Sequence, residues 1–265
     1  MTGPPRPLVA LLTDFGTRDH YVGTMKGVLL GICPDAALVD ITHDIEPQDV
    51  LGGALELAAA APYFPEHAIF LAVVDPGVGS ARRAVAVECE GRRFVGPDNG
   101  LLWPAIEALG GVAHTVSLTE ARYARPVVSR TFEGRDRFAP AAGWLAAGLP
   151  LASLGTAGAE LQRLDLPRPR VSSERIDGEV VRVDRFGNLV TNITRLMVEA
   201  LGASRQVQIG DTRIDRLLGT YSEAERGQPC ALFSSSDHLE IAVRDGHAAS
   251  LLRAPRGTAV QVRRA

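Results

Sequence analysis

The run Pro7-Leu8-Val9-Ala10-Leu11-Leu12-Thr13 closes on Asp14-Phe15-Gly16, and Tyr21, Met25, Val28, Leu29 and Ile32 then recur at helical spacing until Pro34. This reads as a strand followed by a helix. Ala37 to Thr42 repeats the strand pattern, and Pro47, suited to a first helical position, opens an amphipathic stretch to about Ala61. His67 to Val74 is a third apolar strand, broken at Asp75-Pro76-Gly77. Strands alternating with helices at these lengths predict an α/β fold, with an N-terminal three-layer domain around a mostly parallel sheet. Ala84 to Cys89 and Arg93 to Val95 read as strands joined at Glu90-Gly91-Arg92, and Pro140 to Ala147 as a short helix.

Beyond this the period changes. Leu164 to Ser173, with Pro167 and Pro169, is polar and has no helical periodicity, as linkers tend to be. From Gly178 the apolar residues alternate, at Val181 and Val183, then in Leu189 to Ile193, Val207 to Ile209, Leu239 to Val243 and Ala259 to Val262. A small antiparallel β-barrel-like domain is expected there. The expected division is 1–163 for the α/β domain, 164–177 for the linker and 178–265 for the β domain. No repeat of 20 to 50 residues is visible.

The 28 basic and 31 acidic residues leave a net charge of -3, which excludes a chain-wide electrostatic footprint for nucleic acid or an anionic membrane. Lys26 is the only lysine, which reads as codon habit. Cys33, Cys89 and Cys230 are widely spaced with no CxxC pair, and read as buried thiols. The histidines at 20, 43, 67, 114, 238 and 247 show no paired ligand spacing, so no metal is expected. The start carries no signal-peptide pattern, and no apolar run approaches the roughly 18 residues of a membrane span. A cytoplasmic protein is expected, and Asn192-Ile193-Thr194 is then an idle glycosylation match.

Ligands collect beyond the carboxyl ends of strands in open α/β sheets. Asp14 and Asp75 end the first and third strands, each either a turn former or part of a site. Pro76-Gly77-Val78-Gly79-Ser80 lets backbone approach a ligand but matches neither a phosphate loop nor a dinucleotide fingerprint.

Five motifs occur in an order that resembles one family: Leu12-Thr13-Asp14-Phe15-Gly16, Val74-Asp75-Pro76-Gly77-Val78-Gly79, Gly96-Pro97-Asp98-Asn99-Gly100-Leu101, Gly134-Arg135-Asp136, and Val183-Asp184-Arg185-Phe186-Gly187-Asn188-Leu189-Val190-Thr191-Asn192-Ile193. The family is the S-adenosylmethionine (SAM) hydroxide adenosyltransferases, or SAM hydrolases, related to fluorinase and chlorinase. The resemblance implies cleavage of SAM at the ribose 5′ carbon by activated water, giving adenosine and methionine, with SAM as substrate and no cofactor. It also implies a homotrimer whose sites combine the N-terminal domain of one subunit with the C-terminal domain of the next.

By the same resemblance Asp14 would hold the ribose hydroxyls and Asp184 the methionine ammonium. Phe186 would pack on adenine, Asn188 and the Ala248 backbone would bond its edge, and Ser235 would bind the methionine carboxylate. Around Ser235 the run Ser234-Ser235-Ser236-Asp237-His238 departs from the commoner asparagine-serine-aromatic-glycine-tyrosine. For Asp184 to Asn188 a plain hairpin turn is the competing reading. Asp75 and Arg82 match two water-activating positions; the third, a histidine in the family, is Glu133 here. Glu133 has three readings: a second carboxylate that retunes Asp75 by repulsion, a structural partner of Arg82 or Arg135, or the mark of a site that binds SAM without turnover. A SAM-binding sensor module is thus the alternative to an enzyme. A halogenase is disfavoured, because Asp75 stands where fluorinase has an uncharged tyrosine and Gly134 where it has a halide-donating serine.

Overall fold

The computed structural model describes residues 6–112, 114–158, 160–202 and 205–264. The chain divides into two compact units, Met1–Asp165 and Leu166–Ala265.

The first unit is built on a seven-stranded sheet of β1 (Leu8–Thr13), β2 (Ala37–Thr42), β3 (Ile69–Val73), β4 (Ala84–Cys89), β5 (Arg92–Pro97), β6 (His114–Ser117) and β7 (Thr156–Ala157), in the order β2-β1-β3-β5-β4-β6-β7. Pairing is parallel from β2 through β1 and β3 to β5, and antiparallel from β5 through β4 and β6 to β7. The sheet is therefore mixed, its parallel half carrying the predicted βαβ units. The β4–β5 turn places Glu90 at φ 45 and Gly91 at φ 74, the doubly left-handed pair that suits a two-residue hairpin.

Alternate residues of β1 feed opposite faces of the sheet, which is why its sequence is apolar throughout. Val9 and Leu11 pack with Met25 and Leu29 of α1 (Tyr21–Ile32) on one face. Ala10 and Leu12 pack with Ala54 and Leu57 of α2 (Val50–Ala60), and with Ala105 and Ile106 of α3 (Trp103–Ala108), on the other. A fourth helix, α4 (Ala139–Ala146), joins the α1 side and is entered through a π-helical turn, Gly134–Phe138. Helix α2 does not start at Pro47 as expected. Gln48 is left-handed at φ 68, which breaks the run, and Asp49 caps the helix by accepting from the Gly52 amide at 3.0 Å.

The second unit holds β8 (Arg170–Val171), β9 (Arg175–Val183), β10 (Leu189–Thr194), β11 (Arg205–Ile209), β12 (Thr212–Ile214), β13 (Pro229–Phe233), β14 (His238–Val243) and β15 (Ala259–Arg264), with helices α5 (Arg195–Ala200) and α6 (Ala248–Leu251). The strands are antiparallel in the order β12-β11-β15-β9-β10-β14-β13, with β8 added on β9. A bridge from Leu217 to Ala231 brings the chain after β12 onto β13, so the sheet nearly closes into a barrel around Ile176, Val180, Ile193, Val207, Ile241 and Val260. Part of the stretch read as linker is therefore paired strand: Arg170 lies opposite Asp177, and Val171 opposite Ile176. Strand β13 escaped the sequence pattern because it opens on Pro229, tolerated at the end of the strand order. Among the described residues no helix is long and apolar enough to cross a membrane, and no group of three metal-ligating side chains occurs.

Candidate active site

In the first unit the ends of β1 and β3 bring Asp14 and Asp75 close enough to feel one another's charge. Asp14 is half-buried, and its Oδ2 accepts from the Gln48 amide at 2.8 Å. Burial pushes its carboxyl above the usual carboxylate range; the backbone amides oppose this and the negative charge of Asp75 adds to it.

Asp75 is clamped by Arg82. Nε of Arg82 lies 3.0 Å from both carboxylate oxygens, and Nη2 also donates to Oδ2. The same Nη2 reaches Glu133 Oε2 at 2.5 Å, so one guanidinium joins two carboxylates. The side chains of Asp75, Arg82 and Glu133 are only 6%, 10% and 12% exposed. Burial alone would lower the Arg82 pKa, but the hydrogen bonds to Asp75 and Glu133 outweigh it and hold the group above its ordinary value. Arg82 also lies over the Phe138 ring, 5.3 Å from its centroid, and Arg137 Nε is 3.7 Å from Glu133 Oε1. Two carboxylates and two guanidiniums therefore balance.

The local sequence explains the meeting. Gly79 sits at φ 77, where a Cβ would overlap the Arg130 carbonyl, so the Pro76–Ser80 loop presses against the segment leading to Glu133. Of the arrangements open for Glu133, the contact made is with Arg82. Arg135 instead pairs with the fully buried Asp136 at 2.6 and 2.7 Å, and Asp136 also accepts from the Ser129 amide at 2.8 Å. Those bonds outweigh burial and hold the Asp136 carboxyl below its usual range. Phe15, Tyr21 and Phe132 form an aromatic cluster with centroids 5.0 to 5.9 Å apart, a grouping that sequence spacing did not reveal.

The second unit holds Asp184, Phe186, Asn188, Ser235 and Ala248. Asp184 Oδ1 accepts from the Phe186 and Asn188 amides at 2.9 and 2.8 Å, and Oδ2 from Asn188 Nδ2 at 3.0 Å. The competing reading of this motif as a tight turn between β9 and β10 thus describes its geometry. A carboxylate offers about four acceptor positions, so three bonds leave one at Oδ2. Phe186 is 75% exposed while Asn188 is buried. Gly187 is left-handed, and its carbonyl accepts from the Ala249 amide at 3.0 Å, joining the turn to α6, where Ala248 is the first, buried residue. Ser235 is exposed in the β13–β14 turn.

Two acidic features went unread in the sequence. Glu240 is buried on β14 and accepts from the Tyr221 hydroxyl at 2.5 Å. Burial raises its pKa, the Tyr221 bond works the other way, and the negative charge of Asp184 adds to the rise. At the other strand group, Lys26, Asp40, His43 and Thr13 form a chain of contacts behind Asp14.

The SAM hydroxide adenosyltransferase N-terminal domain matches residues 9–155, and the C-terminal domain of the same family matches 178–261. The chain is 40% identical over 260 residues to a protein named (R)-S-adenosyl-L-methionine hydrolase from Salinispora tropica, covering 97% of this chain and 98% of that one. It is also 40% identical over 264 residues to one so named from Thermus thermophilus, covering 96% and 98%. A fluorinase from Actinoplanes sp. is 33% identical, covering 89% of this chain and 90% of that one. A crystal structure of an uncharacterized conserved protein from Thermotoga maritima superposes with a TM-score of 0.91 at 34% identity, covering 97% of this chain and all of that one. The chain belongs to the SAM hydroxide adenosyltransferase family.

Proposed function

We propose that this protein is an enzyme that hydrolyses SAM to adenosine and L-methionine. The observation that carries the reading is its identity, along nearly the whole of both chains, to proteins named (R)-S-adenosyl-L-methionine hydrolase. The leaving sulfur is a sulfonium that departs as a neutral thioether, so no acid is needed to assist it. The water oxygen attacks C5′, the carbon–sulfur bond breaks with its electron pair going to sulfur, and one water proton passes to Asp75 and then to solvent. Asp75 orients the water and accepts its proton. Arg82 fixes that carboxylate and steadies the hydroxide as it forms, and Glu133 holds Arg82 from the far side. A balanced set of buried charges lets neutral water approach, and the lower identity to a fluorinase, 33% against 40% to the proteins named hydrolases, disfavours a halogenase.

Substrate binding falls to the remaining residues. Asp14 takes the ribose hydroxyls, and Asp184 takes the methionine ammonium at its unfilled acceptor position. Phe186 stacks on adenine, while Asn188 and the Ala248 backbone bond its edge. Ser235 donates to the methionine carboxylate. We read the working form as a cytoplasmic homotrimer that uses SAM as substrate without a cofactor, each site combining the first unit of one subunit with the second unit of the next.

The test is adenosine release from SAM by the wild type and Asp75→Asn. Turnover should fall about a hundredfold or more while SAM affinity changes a few-fold, because the group acts in the transition state. Equal losses in both contradict the role, and tight binding without adenosine in the wild type makes the protein a SAM-binding module.

A further inference from the structure

Behind Asp14 lies a set of polar side chains that the proposed chemistry leaves unused. Lys26 Nζ on α1 is 2.6 Å from Asp40 Oδ2 on β2, and Asp40 Oδ1 is 3.0 Å from His43 Nε2. His43 Nδ1 is 2.8 Å from Oγ1 of Thr13, the last residue of β1, and that oxygen accepts from the Phe15 amide at 3.2 Å. Thr13 is wholly buried and His43 is 4% exposed, so these groups are shut off from water.

The chemistry sets one direction along the chain. For Asp40, burial pulls the pKa up, but Lys26 and His43 outweigh it and hold the carboxyl below its usual range, as an acceptor only. We assign the His43 N–H to Nε2, facing Asp40 in a close but off-line contact, which leaves Nδ1 to accept from the Thr13 hydroxyl. The lone pairs of Thr13 Oγ1 are then free to meet the Phe15 amide. Two further bonds tie the same loops together: the Gly16 amide donates to the His43 carbonyl at 2.8 Å, and the Gln48 amide to Asp14 Oδ2. Asp14 lies between Thr13 and Phe15 and is held from across the gap by the segment that His43 begins.

We propose that the Lys26–Asp40–His43–Thr13 chain is a positioning element that aims the Asp14 carboxylate at the ribose hydroxyls. The proposal rests on Asp14 being the ribose acceptor. The proposal gives none of the four residues a contact with substrate. A single carboxylate that accepts from two vicinal hydroxyls must be held within a fraction of an ångström, and the buried threonine at the strand end supplies the rigid anchor. The only lysine of the chain supplies the outermost charge.

The test compares Thr13→Val, which keeps shape and removes the hydroxyl, with Thr13→Ser, which restores it, and with Asp40→Asn at the more exposed end. Three quantities are read: kinetics with SAM, kinetics with its 2′-deoxyribose analogue, and hydrogen exchange of the Gln48 amide. Thr13→Val should raise KM for SAM about tenfold, the cost of one buried hydrogen bond, and lower the preference for SAM over the 2′-deoxy analogue similarly. It should leave kcat within about twofold and speed Gln48 exchange, as loss of binding geometry without loss of chemistry requires. Thr13→Ser should return all three toward wild type, and Asp40→Asn, at a side chain 42% exposed, should move them in the Thr13→Val direction by about two- to threefold. Wild-type Gln48 exchange in folded Thr13→Val or Asp40→Asn overturns the proposal, as does a loss confined to kcat. Unchanged sugar preference with faster exchange overturns the aim at ribose. A wild type that makes no adenosine from SAM overturns the functional reading, and Gln48 exchange then still decides whether the chain positions Asp14.

Discussion

Replacing Glu133 by glutamine keeps the shape of the side chain and removes its charge. Glu133 and Arg82 meet at 2.5 Å, and both side chains are nearly nine-tenths buried, so the bond is charge-assisted and poorly screened. Removing the partner of a buried charge costs about 3 to 5 kcal/mol when that charge is left alone. Arg82 is not left alone, since it keeps Asp75 through Nε and Nη2. The loss is therefore that of one hydrogen bond to a charged group, about 2 kcal/mol. For a unit of this size that lowers its melting temperature by about 4 to 8 °C. Catalysis should suffer as well. With Glu133 neutral, the guanidinium charge falls wholly on Asp75 and weakens it as a proton acceptor. About 1 kcal/mol of lost driving force gives a five- to tenfold fall in adenosine formation. Thermal unfolding and chromatographic assay of adenosine measure the two effects. A variant that melts within about 1 °C of wild type and turns over at the same rate refutes the argument that Glu133 shares Arg82.

Other expectations follow from the same geometry. The Asp14 carboxyl titrates above its ordinary 3.8, so kcat/KM for SAM should fall with acidity from a higher pH than a free aspartate gives, and Asp14→Asn should remove its share of that fall, leaving the part due to Asp75. Asp184→Ala removes three accepted hydrogen bonds and should destabilise the second unit by about 2 to 4 kcal/mol in denaturant unfolding, with Asp184→Asn milder. An unchanged midpoint would separate the motif from its turn. Glu240 has a folded-state pKa raised above the ordinary 4.5, so its ionisation costs stability as pH climbs past that value. Glu240→Gln keeps an acceptor for Tyr221 and should gain stability over wild type at neutral pH, the gain vanishing below the ordinary pKa; a constant difference across pH would contradict the sign.

The strands and helices of the first unit were legible because the alternating demands of a sheet covered on both faces write themselves into runs such as Leu8 to Thr13. Where a boundary hung on one conformation, the pattern misled. Pro47 looked like a helix start, but the left-handed Gln48 moved it to Asp49 and Val50. The π-helical turn at Gly134–Phe138 has no periodicity of its own, and the short edge strands carry too few residues to show one. Asp14 and Asp75 stood out at strand ends, and the other candidate residues came from motif resemblance. The Arg82–Glu133 pair, 51 residues apart, was one of the readings open for Glu133, whereas Thr13 and His43, 30 apart, carried no signal, a separation that only folding closes. Glu240 was hidden because a charged residue within an alternating strand reads as facing solvent, and here Tyr221 covers it.

Gly187 has a consequence beyond its backbone angle. A side chain there would overlap the His247 ring, so the tip of the Asp184 turn is seated against the residue that caps α6. Turn and cap behave as a latch and its keeper. On the proposed reading, in which Asn188 and Ala248 both bond adenine, affinity at the two places is inherited, or lost, together.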